Sequence, residues 1–216
     1  MKTIATIALL AFVTPAMASD YMANDEIPHI NGCKLEPKTD CRGADLRGAD
    51  LSNMDLKQAN FENADLRGAN LSHANLRGAD LSGAQLDEVT AHRVTLYRAD
   101  MRGARIRNAQ LQGAQAEYLF AQGADLSGSD MSGANFDFSR FSGAKVEGAN
   151  LSFASFEIAW LPKVSFKGSR LYGANLQEAK LGHANLSNAN LNATRIHYAT
   201  FEGTFMEGCE GCPFDW

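Results

Sequence analysis

Few residues in this chain have the chemistry to do more than pack: four cysteines, five histidines and a mixture of charged side chains among 216 residues. Cys209-Glu210-Gly211-Cys212 is a C-x-x-C. As a redox pair it would need a helix N-terminus to lower one thiol pKa, and no helical periodicity surrounds it. As half of a zinc site it would need two further ligands, and neither a second C-x-x-C nor a paired histidine stands nearby. Structural disulfides are the expected use in an exported chain, here and for Cys33 and Cys41. His29, His73, His92, His183 and His197 read as surface residues, and no Ser/His/Asp spacing or glycine-rich phosphate loop is present. No catalytic residue, metal or cofactor is therefore expected, and the chain does not read as an enzyme.

The stretch that would position any such residue runs from Ala44 to Leu86. Every fifth residue is large and apolar: Leu46, Leu51, Leu56, Phe61, Leu66, Leu71, Leu76, Leu81, Leu86. Two positions before each of these centres stands a small partner, Ala in all but one case, Met54. Residues five apart on an α-helix lie roughly 140° apart, so the centres would spiral over its whole surface. On a straight strand an odd period throws successive centres to opposite faces. Partner and centre, two apart, do share a face in extended geometry. The chain must therefore turn once per unit to keep both inward, which makes a coil around a packed axis. The frame holds from Leu46 to Met206 without a slip. At Val89/Ala91 and Leu119/Ala121 the partner has grown where the centre has shrunk, a volume-conserving exchange. Ala114/Ala116 lacks that compensation and predicts a loosely packed place unless Leu119 fills it.

A-[DN]-L-x-x in tandem resembles the pentapeptide-repeat family, over roughly three quarters of the chain. The resemblance implies an all-β fold, a right-handed quadrilateral parallel β-helix with four pentapeptides to a coil. That makes about eight coils and, at a strand spacing of ~4.8 Å, a rod ~40 Å long. Four cysteines allow three pairings, but a disulfide needs α-carbons within ~7 Å. Cys33–Cys41 and Cys209–Cys212, one bridge at each end, are thus expected from the implied rod.

The ends do not repeat. Lys2, the apolar run Ile4–Val13 and Ala16-Met17-Ala18 read as a signal peptide over 1–18, too short to span a bilayer. Residues 19–41, with Pro28 and Pro37, read as an irregular N-terminal cap over the open first coil. The solenoid is expected over 42–206 and a C-terminal cap over 207–216, where Phe214 and Trp216 could form an apolar lid. The acidity lies in the ends: residues 42–206 carry 17 acidic and 17 basic side chains, residues 19–41 carry 5 and 2, and residues 207–216 carry 3 acidic and none basic. No transmembrane segment is expected, and the location is periplasmic or secreted.

These observations point to an exported, non-enzymatic scaffold whose outward residues meet a protein partner or a second copy. The alternative is a DNA-mimicking, topoisomerase-binding protein of the quinolone-resistance type, which the family contains. Mimicry needs an extended negative field, and this body is neutral, so nucleic acid and its enzymes are not the expected partners. If positions twenty apart stack, Tyr118, Phe138 and Ile158 fall in one outward column. Phe120 and Trp160 lie on the neighbouring side. These five are expected to form one exposed apolar, partner-binding surface.

Overall fold

The computed structural model describes residues 28–213. The expected leader, the first part of the N-terminal cap and the lid residues Phe214 and Trp216 lie outside the described residues.

From Asp40 to Glu210 the residue before each centre makes an isolated parallel bridge to the residue twenty further on, beginning with Asp40↔Asn60 and ending with Asn190↔Glu210. One bridge falls in each five-residue unit, so four short sides close one turn of the coil. The ladder therefore reaches slightly past both boundaries expected for the solenoid. Cys41 is buried as a centre, and Cys209 stands where a partner belongs.

Each unit is kept short by its own turn. The partner's N–H donates to the carbonyl of the preceding centre, as from Ala49 to Leu46 at 3.1 Å and from Ala174 to Leu171 at 3.0 Å. The third residue of such a turn needs a positive φ. The last position of every unit has one, from +52° at Arg93 to +72° at Gly128. Glycine meets this requirement without steric penalty, and Asn more readily than other side chains. Asn and Asp before the centres steady the same corner by accepting a backbone N–H two residues on, as Asn60 does from Glu62 at 3.0 Å.

Partners and centres fill the axis. The first turns bury mostly leucine, whereas Phe136, Phe141, Phe156 and Phe166 form a ring cluster with centroids 5.0 to 6.0 Å apart. An internal cavity of about 10 Å³ lies among residues that include Leu71, Ala91, Val94 and Leu111. Ala114 and Ala116 do not line it, and Leu119 is fully buried. The space thus sits at the Val89/Ala91 exchange. Ser129 replaces Ala at a partner position, and its hydroxyl donates to the Ile106 carbonyl at 2.6 Å while accepting from Ala109 N–H at 3.0 Å. Ser169 does the same between Val146 and Ala149, so these buried hydroxyls are satisfied.

The N-terminal cap is more regular than its sequence suggested. Strands β1 (His29–Ile30) and β2 (Cys33–Lys34) pair antiparallel around Asn31-Gly32, at φ 48° and 82°. Two successive positive φ values at Asn-Gly are what a tight I′ hairpin turn requires. Ile30, Cys33 and Leu35 cover the first coil's apolar end, and the Asn31 side chain donates to the Asp45 carbonyl at 2.6 Å. A disulfide joins Cys33 to Cys41, tying the hairpin to the first centre, and a second joins Cys209 to Cys212 at the other end.

Candidate protein-binding face

Twenty-residue stacking places Tyr118, Phe138 and Ile158 in one column, each at the corner of its unit. The rings of Tyr118 and Phe138 are stacked, 4.9 Å apart and 7° from parallel. With Trp160, Arg140, Gln122 and Ser142 they line an open groove of about 600 Å³. Tyr118 is 38 %, Phe138 43 %, Ile158 42 % and Trp160 53 % exposed, so much of this apolar area meets solvent.

Phe120 departs from the expectation. It is half-buried and outside the groove. The bridge order Phe120↔Arg140↔Trp160 places Arg140 between the two on the ladder, with its Cζ 5.7 Å from the Phe120 centroid. A charge on a long stem thus divides the surface expected from five residues and shields its fifth member. The bridge register makes this readable, because Arg140 is twenty residues from both.

The structure also adds residues that the sequence reading left aside. Tyr97 packs edge-on against Tyr118 at 5.5 Å and extends the column toward the N-terminus. Arg77 Cζ stands 4.5 Å from the Tyr97 centroid, while Arg98 Cζ stands 5.3 Å from Tyr97 and 5.5 Å from Tyr118. The face therefore begins with guanidinium groups held on ring faces and ends on uncharged rings and Ile158. The signal was present in the run Tyr97-Arg98, one coil before Glu117-Tyr118.

The corners of this face also carry backbone strain. Tyr118, Phe138 and Ile158 have φ of 60°, 59° and 58°. Left-handed backbone costs an ordinary L-residue about 1–2 kcal/mol, and it is least tolerated by β-branched side chains. Between Gly43 and Gly208 sixteen corners are glycine and eighteen are not, most of the latter polar or charged; Ile158 is the one β-branched residue among them.

The remaining candidates gather nothing. His73 N–H donates to the His92 carbonyl at 2.9 Å, a ladder bond rather than a side-chain site. Among the described residues no group of three or more His, Cys, Asp or Glu is arranged to hold a metal ion, and no helix is long and apolar enough to cross a membrane.

The sequence profile described as Pentapeptide repeats matches in overlapping windows, 37–63, 55–90, 84–117, 121–152, 149–188 and 169–208. No curated protein sequence matches the chain. Solved structures resemble it. HetL, a protein involved in heterocyst differentiation regulation from the cyanobacterium Nostoc sp. strain PCC 7120, is 28 % identical over 79 % of this chain and 84 % of its own, with a TM-score of 0.46. Rfr23 from the cyanobacterium Cyanothece 51142 is 20 % identical over 51 % of this chain and 90 % of its own, with a TM-score of 0.51. QnrB1, a plasmid-mediated fluoroquinolone resistance protein, is 20 % identical over 72 % of this chain and 86 % of its own, with a TM-score of 0.40.

Proposed function

Since the chain belongs to the pentapeptide-repeat family, a family of repeat scaffolds, we propose that it is a non-enzymatic, exported binding rod that takes a protein partner on the face of Tyr118, Phe138, Ile158 and Trp160. The rod has about eight right-handed coils. The observation that carries the reading is the backbone of those corners. Two aromatic residues and a β-branched one occupy left-handed positions that glycine would occupy without strain. They still expose 38 to 43 % of their surface, so burial within the chain offsets that strain only in part. Side chains held outward at such a position support a role outside the chain's own folding.

The neutral charge of residues 42–206 weighs against nucleic-acid mimicry. Export rests on the sequence of residues 1–18: the purified extracellular or periplasmic protein should begin at Ser19 by mass spectrometry, and an intact Met1 there would remove that part of the reading.

The binding face is tested by Phe138→Ser together with Trp160→Ser, which leaves every inward position intact. Sedimentation and crosslinking with the native envelope or medium should show a complex lost and the circular dichroism unchanged. A change in sedimentation of the protein alone would identify the partner as a second copy. Unaltered complexes, or an unfolded double variant, would rule the face out.

A further inference from the structure

The feature that the binding face leaves unexplained is Arg77. Four units pair an Arg with the Asp two residues before it: Arg42 with Asp40, Arg47 with Asp45, Arg67 with Asp65 and Arg102 with Asp100, at 2.5 to 2.8 Å. Ala74-Asn75-Leu76-Arg77-Gly78 is the same unit as Ala64-Asp65-Leu66-Arg67-Gly68 with Asn in place of Asp. Arg77 keeps only the backbone bond, its N–H donating to the Asn75 side-chain oxygen at 3.3 Å. Its guanidinium has no carboxylate within ion-pair distance among the described residues and rests on the Tyr97 ring instead. Arg98, on the other side of the same ring, likewise has no such carboxylate among the described residues.

The two meet Lys57, which is paired with Asp55 at 3.0 Å, around an open cleft of about 360 Å³ whose other linings are Gln58 and Gly78. Gly78 sits at a left-handed corner with no side chain to fill the opening. The cleft is therefore lined by three cations, of which Lys57 is paired with Asp55 beside it. The Asp-x-Arg units at Arg42, Arg47, Arg67 and Arg102 each satisfy their guanidinium internally, whereas Asn75 leaves Arg77 open to an anion from outside the chain. Glu117, the acidic residue following Tyr97 in its column, is engaged with the Asn135 side chain at 3.0 Å.

The cleft adjoins the aromatic column directly through Tyr97 and Tyr118. From Lys57 to Ile158 is about five coils, or ~24 Å at the strand spacing, a length spanned by about seven extended residues. Deepening the reading that Tyr118, Phe138, Ile158 and Trp160 take a protein partner, we propose that Lys57, Arg77 and Arg98 form a carboxylate-binding site. The segment bound along this face is extended, acidic at the end that enters the cleft and apolar along the rings. A guanidinium binds a carboxylate through two parallel N–H bonds, the strongest ordinary form of such contact. A partner lacking the acidic end would leave the cleft's charge unanswered.

The probe is a fluorescein-labelled peptide, DEDGIFLW, with NQNGIFLW as its uncharged counterpart, titrated by anisotropy against the full chain. The acidic peptide should bind at least about tenfold more tightly, equivalent to about 1.4 kcal/mol. Asn75→Asp recreates the family's own unit and gives Arg77 an internal partner. Stacked aspartates are tolerated by this scaffold, as at Asp45↔Asp65, so the variant should fold, with an unchanged circular dichroism spectrum. It should remove most of the preference for the acidic peptide while leaving the uncharged peptide's affinity unchanged. Phe138→Ser with Trp160→Ser should weaken both peptides alike. Equal binding of the two peptides, binding of neither, or an acid preference that survives Asn75→Asp would each overturn the carboxylate site and leave the complex-loss test of the aromatic face independent. Displacement of the peptide by a heparin oligosaccharide that still binds the aromatic double variant would make the cleft a general polyanion site and overturn the choice of a protein segment.

Discussion

Up to Arg107 and beyond it, one repeat frame carries two different surfaces. All nine ion pairs among the described residues lie between Lys34 and Arg107. All the exposed large hydrophobic residues among those described, from Tyr118 to Phe205, lie beyond it. The bridges keep the same twenty-residue step throughout. Inward positions therefore set the coil, and outward positions are free to differ because they carry no part of the axis. Near the cap, most outward Arg charges pair with a neighbouring Asp, Arg77 and Arg98 being exceptions. Past Arg107 outward positions hold rings that meet mainly one another and nearby guanidinium groups, and Arg77, Tyr97 and Arg98 stand on the approach to that boundary.

The comparison is broken most severely through the core. Phe156→Ala removes a ring that touches Phe136, Phe141 and Phe166 and should destabilise by about 3–5 kcal/mol. Leu66→Ala in the first region should cost about 2–5 kcal/mol, measured by urea unfolding. A repeat array stabilised by neighbours should show the two losses locally before they spread, so hydrogen exchange should distinguish which coils open first.

Removing the hairpin's tether comes next. Cys33→Ser with Cys41→Ser releases a loop whose ends are 8 residues apart, worth roughly 2–3 kcal/mol by chain entropy. Faster exchange should be confined to the cap and first coils; equal loosening of the Phe cluster would show that the two regions unfold as one.

Acid sharpens the contrast. Asp45 is held at about 2 by the Arg47 side chain and backbone N–H. Asp65 is lowered chiefly by Arg67. At Asp87 burial pushes the carboxyl up, but Arg107 and Arg105 outweigh it and the net shift is downward. Asp40, Asp50 and Asp100 are lowered as well, and past Arg107 only Asp130 joins them among the resolved shifts. A lowered carboxyl pKa contributes stability above the unfolded value near 3.9, and that stability is lost as pH falls through the folded value. Between about pH 4 and pH 2 the first region should lose exchange protection before the second. The opposite order would mean that packing, not paired charge, sets local stability near the cap.

The smallest expected effect has the opposite sign. Ile158→Gly relieves a β-branched residue at φ 58° and should stabilise by about 0.5–1 kcal/mol, the left-handed penalty less glycine's backbone entropy. Differential calorimetry should show a slightly higher Tm in a protein that no longer presents the apolar column. A lower Tm would mean that Ile158 packs for the chain's own benefit, which would weaken the binding face.

Most of the fold was legible because its information is local and repeated. Ala44 to Leu86 fixes inward pairs and a turn per unit, and glycine at Gly48, Gly68 and Gly78 marks the corner. The cap hairpin was also written in the sequence as Ile30-Asn31-Gly32-Cys33, but the prolines and cysteines around it read as irregular structure. The face was legible only in part. Tyr118, Phe138, Ile158 and Trp160 came from counting by twenty, while Arg140's place between Phe120 and Trp160 required the neighbouring column to be counted as well. The Asn75 exchange beside Arg77 was legible, but the cleft was not, since it depends on Lys57, Arg77 and Arg98 converging from successive coils.

The fixed register has a consequence for how such a protein can change length. One bridge recurs every five residues and stacks every twenty. An insertion of a single unit upstream of Tyr118 would swing the aromatic column by a quarter turn about the axis relative to the cap. A whole coil inserted there would move the column along the axis without rotating it. Two or three units would turn it by a half or three quarters, and only a length that is not a multiple of five would put polar side chains on the axis. Gene duplication and deletion therefore act on this molecule like the settings of a dial and a ruler, re-aiming or re-spacing a binding surface in discrete steps while the packing beneath it stays the same.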